Sequence, residues 1–149
     1  VGIGIGPFNL SLAAVLAKAT DFRARFFDRK PQFEWHSEVM FDDSYMQTNY
    51  LKDLVTPVDP TSPYTFLNYL SHQGLFHPFL NTGRTVVSRR EFEQYCEWVA
   101  GRLGDRLRFG EGVERIVFAD DRFHVQTSAG EYTANHLCVA TGLVPRIPD

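Results

Sequence analysis

The chain opens on Val1-Gly2-Ile3-Gly4-Ile5-Gly6-Pro7-Phe8-Asn9-Leu10, and no other stretch restricts the fold as much. Apolar residues interleaved with glycines read as the end of a buried strand, a tight turn and the first turn of a helix. Pro7 suits the first helical position, where an N–H would be unpaired in any case. The helix is expected over residues 7–19, with Phe8, Leu12, Val15, Leu16 and Ala19 on one apolar stripe. Gly4 permits the sharp turn out of the strand. Gly6 lets an anion such as a pyrophosphate approach the backbone, where free N–H groups and the positive end of the helix dipole favour it.

Asn9 stands where the third glycine of Gly-x-Gly-x-x-Gly falls, so the turn alone is a weak signal. A glycine turn without a ligand is the plain alternative. The following residues strengthen the ligand reading. Residues 22–27 read as a second strand ending at Asp28, 24 positions after Gly4. That offset is close to the one expected for a carboxylate that accepts ribose hydroxyls.

A length of 149 residues fits one domain with a real core. The net charge of −3 argues against a nucleic-acid-binding surface. No apolar run is long enough to span a membrane, and no signal peptide is visible. Cys96 and Cys138 lack metal or redox spacing. Each falls at an apolar position, so both are expected to be buried thiols in a reducing, cytoplasmic compartment. The 13 Phe and 6 Tyr suit a flavin pocket, but an aromatic core would look the same. The chain starts inside its first strand without a methionine and stops just after a strand-to-loop junction. It is therefore expected to be a fragment of a longer polypeptide.

Further along, residues 29–44 read as a loop, and residues 45–56 as a short extended stretch entering a turn. Ser62 and Pro63 read as the cap and first residue of a helix through Phe66, Leu67 and Leu70. Residues 72–85 read as loop, with His72 and His77 as surface histidines. A second clear helix is expected over 89–103, with Phe92, Tyr95, Cys96, Val99 and Leu103 on one face. A strand over 106–109 follows. Short antiparallel strands at 112–119, 123–127 and 131–134 come next, with turns at Asp120-Asp121 and Ala129-Gly130. A compact apolar strand over 136–140 then ends in Thr141-Gly142.

These residues, read together, resemble the flavin-dependent N-hydroxylating monooxygenases of siderophore biosynthesis, the L-lysine N6- and L-ornithine N5-monooxygenases. The resemblance rests on the glycine turn and on Phe27-Asp28-Arg29-Lys30-Pro31-Gln32-Phe33-Glu34-Trp35-His36. It extends through Leu51-Lys52-Asp53-Leu54-Val55-Thr56, Asp59-Pro60-Thr61-Ser62-Pro63-Tyr64, Ser88-Arg89-Arg90-Glu91-Phe92 and Ala140-Thr141-Gly142. Many flavoproteins share the first and last blocks; the Lys-Asp-Leu-Val-Thr and Asp-Pro-Thr-Ser-Pro-Tyr blocks are more specific. The wording is nearer to the lysine hydroxylases.

The resemblance implies an α/β fold: a three-layer FAD-binding Rossmann-like domain with a parallel sheet, helices and a small antiparallel β layer. Residues 1–149 would be its N-terminal portion, with the NADPH-binding domain and C-terminal contacts downstream. The fragment alone would then have no turnover. The implied cofactors are FAD and NADPH, and the implied activity is N6-hydroxylation of L-lysine through a C4a-hydroperoxyflavin. The same chemistry on L-ornithine, cadaverine or putrescine is the alternative. A non-catalytic FAD-binding module and a plain NAD-dependent dehydrogenase are the readings from other classes. The implied partners are a small-molecule amine and O2, with no nucleic acid and no membrane span, and the implied assembly is a homo-oligomer such as a tetramer.

By the same resemblance, Gly4, Gly6, Pro7, Asn9, Asp28, Arg29, Lys30, Pro31, Trp35, His36, Gln47, Val113 and Gly142 bind FAD. Gln47 and Lys52 bind substrate, Lys52 through the amino-acid carboxylate. FAD is preferred over an NADP 2′-phosphate beside Arg29 and Lys30, because Asp28 at the strand end would repel a phosphate. Without the resemblance, Lys52 beside Asp53 would read as a surface ion pair. No catalytic acid or base is named, and no metal is expected.

Overall fold

The computed structural model describes residues 1–19, 21–36 and 40–143. Its centre is a four-stranded parallel sheet in the order β3-β2-β1-β7. Here β1 is Gly2–Ile3, β2 is Phe26–Asp28, β3 is Leu107–Phe109 and β7 is Cys138–Val139. The second strand is thus shorter than residues 22–27 suggested, and Phe22 is exposed. A separate antiparallel sheet joins β4 (Val113–Ala119), β5 (Arg122–Thr127) and β6 (Glu131–Ala134). Asp120 and Asp121 both take positive φ, 52° and 59°, in the tight β4–β5 turn. Short acidic side chains tolerate that region better than most.

Helix α1 is Pro7–Leu16, shorter than expected, and its apolar stripe is a correction. Asn9, Leu10, Ala13 and Ala14 are buried, whereas Phe8 is 86% exposed. Small residues on the inner face let the helix lie close to its neighbours, a need that a ranking by hydrophobicity misses. Two further corrections concern α2, Phe66–His72, and α3, Phe76–Asn81. Thr65, not Ser62, caps α2 by accepting the Asn68 N–H, and α3 occupies part of the expected 72–85 loop. His72 and His77 are exposed.

Helix α4, Arg89–Leu103, matches its sequence reading and buries Phe92, Tyr95, Cys96, Val99 and Leu103. Its start is a capping box. Ser88 Oγ accepts the Glu91 N–H, and Glu91 Oε2 accepts the Ser88 N–H at 2.7 Å. Arg84 pairs with both Glu91 oxygens, at 2.8 and 3.2 Å. Burial pushes the Glu91 carboxyl up, but the bonds from Arg84 and Ser88 outweigh it and hold it below its ordinary value. Because the folded-state value is depressed, this stabilisation is present above the unfolded carboxylate pKa and is lost as pH falls through the folded one. Melting temperature should therefore drop on acidification below about pH 4.5, the ordinary glutamate value. Glu91→Gln should flatten that dependence; an unchanged profile would contradict the assignment.

The core is rich in aromatic residues. Phe66 packs edge-on against Phe79 and Tyr95, with centroids 5.7 and 5.4 Å apart. Tyr95 is fully buried at the crossing of three segments. Its hydroxyl donates to the Tyr64 carbonyl at 2.7 Å and accepts the Leu54 N–H at 3.3 Å. Burial, followed by the charge of Asp53, pushes its phenol far above the ordinary range. Tyr95→Phe would strand the buried Leu54 N–H and the partly buried Tyr64 carbonyl, so it should cost about 1–3 kcal/mol by denaturant unfolding. A loss near zero would contradict this account. Cys96 is fully buried, and burial raises its thiol well above the ordinary value. Cys138 is only half-buried, which corrects the expectation of two buried thiols. Among the described residues, no helix is long and apolar enough to cross a membrane.

Candidate functional site

Parallel strands put their following loops along one edge of the sheet. That edge carries the turn after β1, the loop after β2 and the Ala140-Thr141-Gly142 segment after β7. The chain leaves β1 to β2 on one side, while β7 pairs on the other, so the crevice at β1 is a topological switch point.

Gly4 makes the turn with φ +83°. A Cβ there would lie 2.5 Å from the Ala140 carbonyl oxygen, so only glycine fits. Gly6 occupies the N-cap of α1 without a side-chain cap, Pro7 follows at N1, and the first turn has no acidic residue. Among the described residues, the Gly6, Phe8 and Asn9 N–H groups have no acceptor. A Cβ on Gly6 would meet nothing within 4 Å. Unpaired donors, a positive helix end and open space suit an anionic pyrophosphate.

Asn9 explains its own presence in place of glycine. Its Nδ2 donates to the Ile3 and Gly4 carbonyls at 3.0 and 2.8 Å, bracing the turn from within. Its Oδ1 is buried and unpartnered among the described residues. Asp28 braces the other side. Oδ2 accepts the Ile5 N–H at 2.8 Å and Oδ1 accepts the Lys30 N–H at 2.9 Å. Each carboxylate oxygen keeps a further acceptor site, enough for ribose hydroxyls.

Lys30 points its ammonium to the Glu34 carbonyl at 2.6 Å and stands 3.9 Å from Asp28. Its charge is therefore already engaged. Arg29 and Pro31 are exposed. The loop that leads into β4 and Val113 is tied beside Asp28 and Lys30. Gly110 N–H donates to the Lys30 carbonyl at 2.7 Å, and Glu111 N–H to the Asp28 carbonyl at 2.9 Å. Val113 itself is half-buried beside a bulge in β4. Gly142, at φ +75°, would meet nothing with an added Cβ.

A second group lies around an open cleft of about 560 Å³ lined by Trp35, Ser44, Tyr45, Met46, Gln47, Thr48 and Arg89. It forms because residues 44–50 run alongside 85–89. Met46 N–H donates to the Val87 carbonyl at 2.9 Å and Arg89 N–H to the Ser44 carbonyl at 2.8 Å. Trp35 is held by Phe92 edge-on at 5.3 Å, and the Arg89 guanidinium lies 5.2 Å over its ring. The His36 ring lies tilted against Trp35, with centroids 5.2 Å apart and φ +54°, but does not line the cleft. Lys52 lines a small adjoining pocket that shares Met46 and Thr48 with the cleft.

Lys52 is exposed, and its ammonium has no partner among the described residues. The surface ion pair with Asp53 does not form. The structure thus gathers Gly4, Gly6, Pro7, Asn9, Asp28 and Lys30 at the sheet edge, and Trp35 and Gln47 at the cleft with Lys52 next to it. Ser44, Tyr45, Met46, Thr48 and Arg89 are cleft residues that the site reading from sequence passed over, and Arg89 is the charged one among them. An arginine in the first turn of a helix opposes the dipole, and that was the available signal.

The model of the L-lysine 6-monooxygenase/L-ornithine 5-monooxygenase family matches residues 1–149. The chain belongs to this family. It is 45% identical to the L-lysine N6-monooxygenase of Escherichia coli, with 99% of the chain and 35% of that protein covered. It is 37% identical to the L-ornithine N(5)-monooxygenase of Burkholderia cepacia, covering 100% and 37%. Among solved structures, it superimposes with a TM-score of 0.89 on a FAD-bound cadaverine monooxygenase of the desferrioxamine pathway from Erwinia amylovora. That pair is 38% identical over 95% of this chain and 35% of the other. The chain therefore spans about a third of the length of these relatives. The α/β fold with a parallel sheet and a small antiparallel sheet is the family's FAD-binding architecture.

Proposed function

We propose that these residues form the N-terminal, FAD-binding part of an N-hydroxylating monooxygenase of siderophore biosynthesis. The observation that carries the reading is the glycine turn with unpaired amides, set beside the Asp28 carboxylate at the switch point of the sheet. Family membership adds the reaction class. Gly4, Gly6, Pro7 and the start of α1 hold the pyrophosphate, and Asp28 accepts the adenosine ribose hydroxyls. Asn9 serves by bracing the turn. Arg29, Lys30, Pro31 and Val113 line the adenosine side, Gly142 lets the chain pass close to the cofactor, and Trp35, His36 and Gln47 lie toward the flavin.

When bound, FAD supplies the redox chemistry with O2, using hydride from NADPH, whose site lies outside these residues. The chain's own part is binding and orientation. Lys52 pairs its ammonium with the carboxylate of an amino-acid substrate, which points the side-chain amine toward the cleft at Gln47. No group here is assigned to proton transfer.

L-Lysine is the proposed substrate, supported by the 45% identity to a lysine enzyme and by a free ammonium suited to a carboxylate. L-Ornithine is the second reading, favoured by the 37% identity to an ornithine enzyme. A diamine is the third, favoured by the cadaverine relative, but it offers Lys52 no anion. The proposed enzyme is a cytoplasmic homo-oligomer. The full-length protein should purify with FAD and turn over NADPH and O2 with formation of a hydroxylamine. Protein without flavin, or turnover giving only peroxide with every amine, would overturn the reading.

A further inference from the structure

Lys52 heads the segment Lys52-Asp53-Leu54-Val55-Thr56, in which every other residue is tied down. Leu54 and Val55 are buried. The Leu54 N–H goes to the Tyr95 hydroxyl, and its carbonyl accepts from Ser11 Oγ on α1. The backbone of Lys52 is fixed as well, since its N–H donates to the Asn49 carbonyl at 2.8 Å.

Asp53 is the hub. Its Oδ1 accepts the Val55 and Thr56 N–H groups at 2.9 and 2.6 Å. Its Oδ2 accepts Thr56 Oγ1 at 2.7 Å and the Phe66 N–H, at the start of α2, at 2.6 Å. A carboxylate offers about four acceptor sites, so four donors saturate it. This has two consequences. The turn carrying Lys52 is locked to α2, and the carboxylate nearest to Lys52 in sequence is consumed by other donors. The ammonium next to it stays unpaired.

We infer that Asp53 is a positioning residue for Lys52: it fixes the turn that presents the ammonium and withholds its own carboxylate from pairing with it. The inference rests on the proposed role of Lys52 as the carboxylate anchor. Asn in place of Asp53 would turn an amide donor toward groups that are themselves donors and loosen the turn.

The test uses the full-length enzyme with its amino-acid substrate, comparing Asp53→Asn, Lys52→Ala and the double variant. Misplacement of a binding group by an ångström is enough for large effects. Asp53→Asn should therefore raise KM about tenfold with kcat within about twofold of wild type. In the Lys52→Ala background, Asp53→Asn should add no further increase, because it acts through Lys52. Thr56→Val removes only the Thr56 Oγ1 bond to Asp53, and it decides the matter if Asp53→Asn does not fold. It should raise KM by about two- to fivefold, again only when Lys52 is present. Additive effects, or an unchanged KM in Asp53→Asn or Thr56→Val while Lys52→Ala is impaired, would overturn the positioning role and leave the anchor intact. An unchanged KM in Lys52→Ala would overturn the anchor itself, and the inference with it.

Discussion

Gly4→Ala should strip the full-length enzyme of its FAD and lower its stability by more than about 1–3 kcal/mol, the usual strain of a side chain at positive φ. Backbone geometry adds to that strain. The new Cβ would lie 2.5 Å from the Ala140 oxygen, 2.9 Å from its carbonyl carbon and 3.0 Å from Thr141 Cα. These are main-chain atoms, and the Ala140 N–H is bonded to the Ile3 carbonyl at 2.9 Å, so they cannot step aside cheaply. The turn must move, and the amides after it move too.

Gly6→Ala is the matched comparison. Its Cβ meets nothing within 4 Å, so the melting temperature should stay near wild type. The methyl group instead occupies the space assigned to the pyrophosphate, and FAD affinity should fall. Thermal melts and the flavin-to-protein absorbance ratio separate the two effects. Gly4→Ala with normal melting and full flavin would contradict the turn geometry. Gly6→Ala with unchanged FAD affinity would contradict the pyrophosphate site.

Lys52→Ala should raise the KM for the amino-acid substrate roughly ten- to hundredfold, the cost of losing a hydrogen bond to a charged group. FAD content should not change, because Lys52 is exposed and lines a pocket that contains no residue of the glycine turn. Folding should not change either, since among the described residues the side chain makes no hydrogen bond or ion pair and Asp53 is satisfied elsewhere. A diamine, having no carboxylate, should be indifferent to the substitution. Steady-state kinetics with both substrate types reads this directly; an unaltered amino-acid KM would remove Lys52 from the site.

What could be read from sequence alone follows from how local each determinant is. Helix α4 was legible because its cap, Ser88 with Glu91, and its buried face all lie within one segment. The glycine turn and Asp28 were legible for the same reason. The start of α2 was not, because Asp53, 13 residues upstream, takes the Phe66 N–H and fixes where the helix begins. Helix α3 escaped because six residues with Pro78 inside offer no helical period. The cleft escaped in part as well. Trp35, Gln47 and Arg89 meet only because residues 44–50 pair with 85–89, a contact that no spacing encodes. The free state of Lys52 was likewise hidden, since an adjacent Asp reads as its partner until the Asp is seen to be saturated.

The central claim is that this site belongs to an amine N-hydroxylase with a carboxylate anchor. The most direct measurement is hydroxylamine formation by the full-length enzyme with FAD, NADPH and O2, with lysine, ornithine, cadaverine and putrescine run in parallel. The account predicts product from lysine and none from the diamines. Product from a diamine but from neither amino acid would contradict the anchoring role of Lys52.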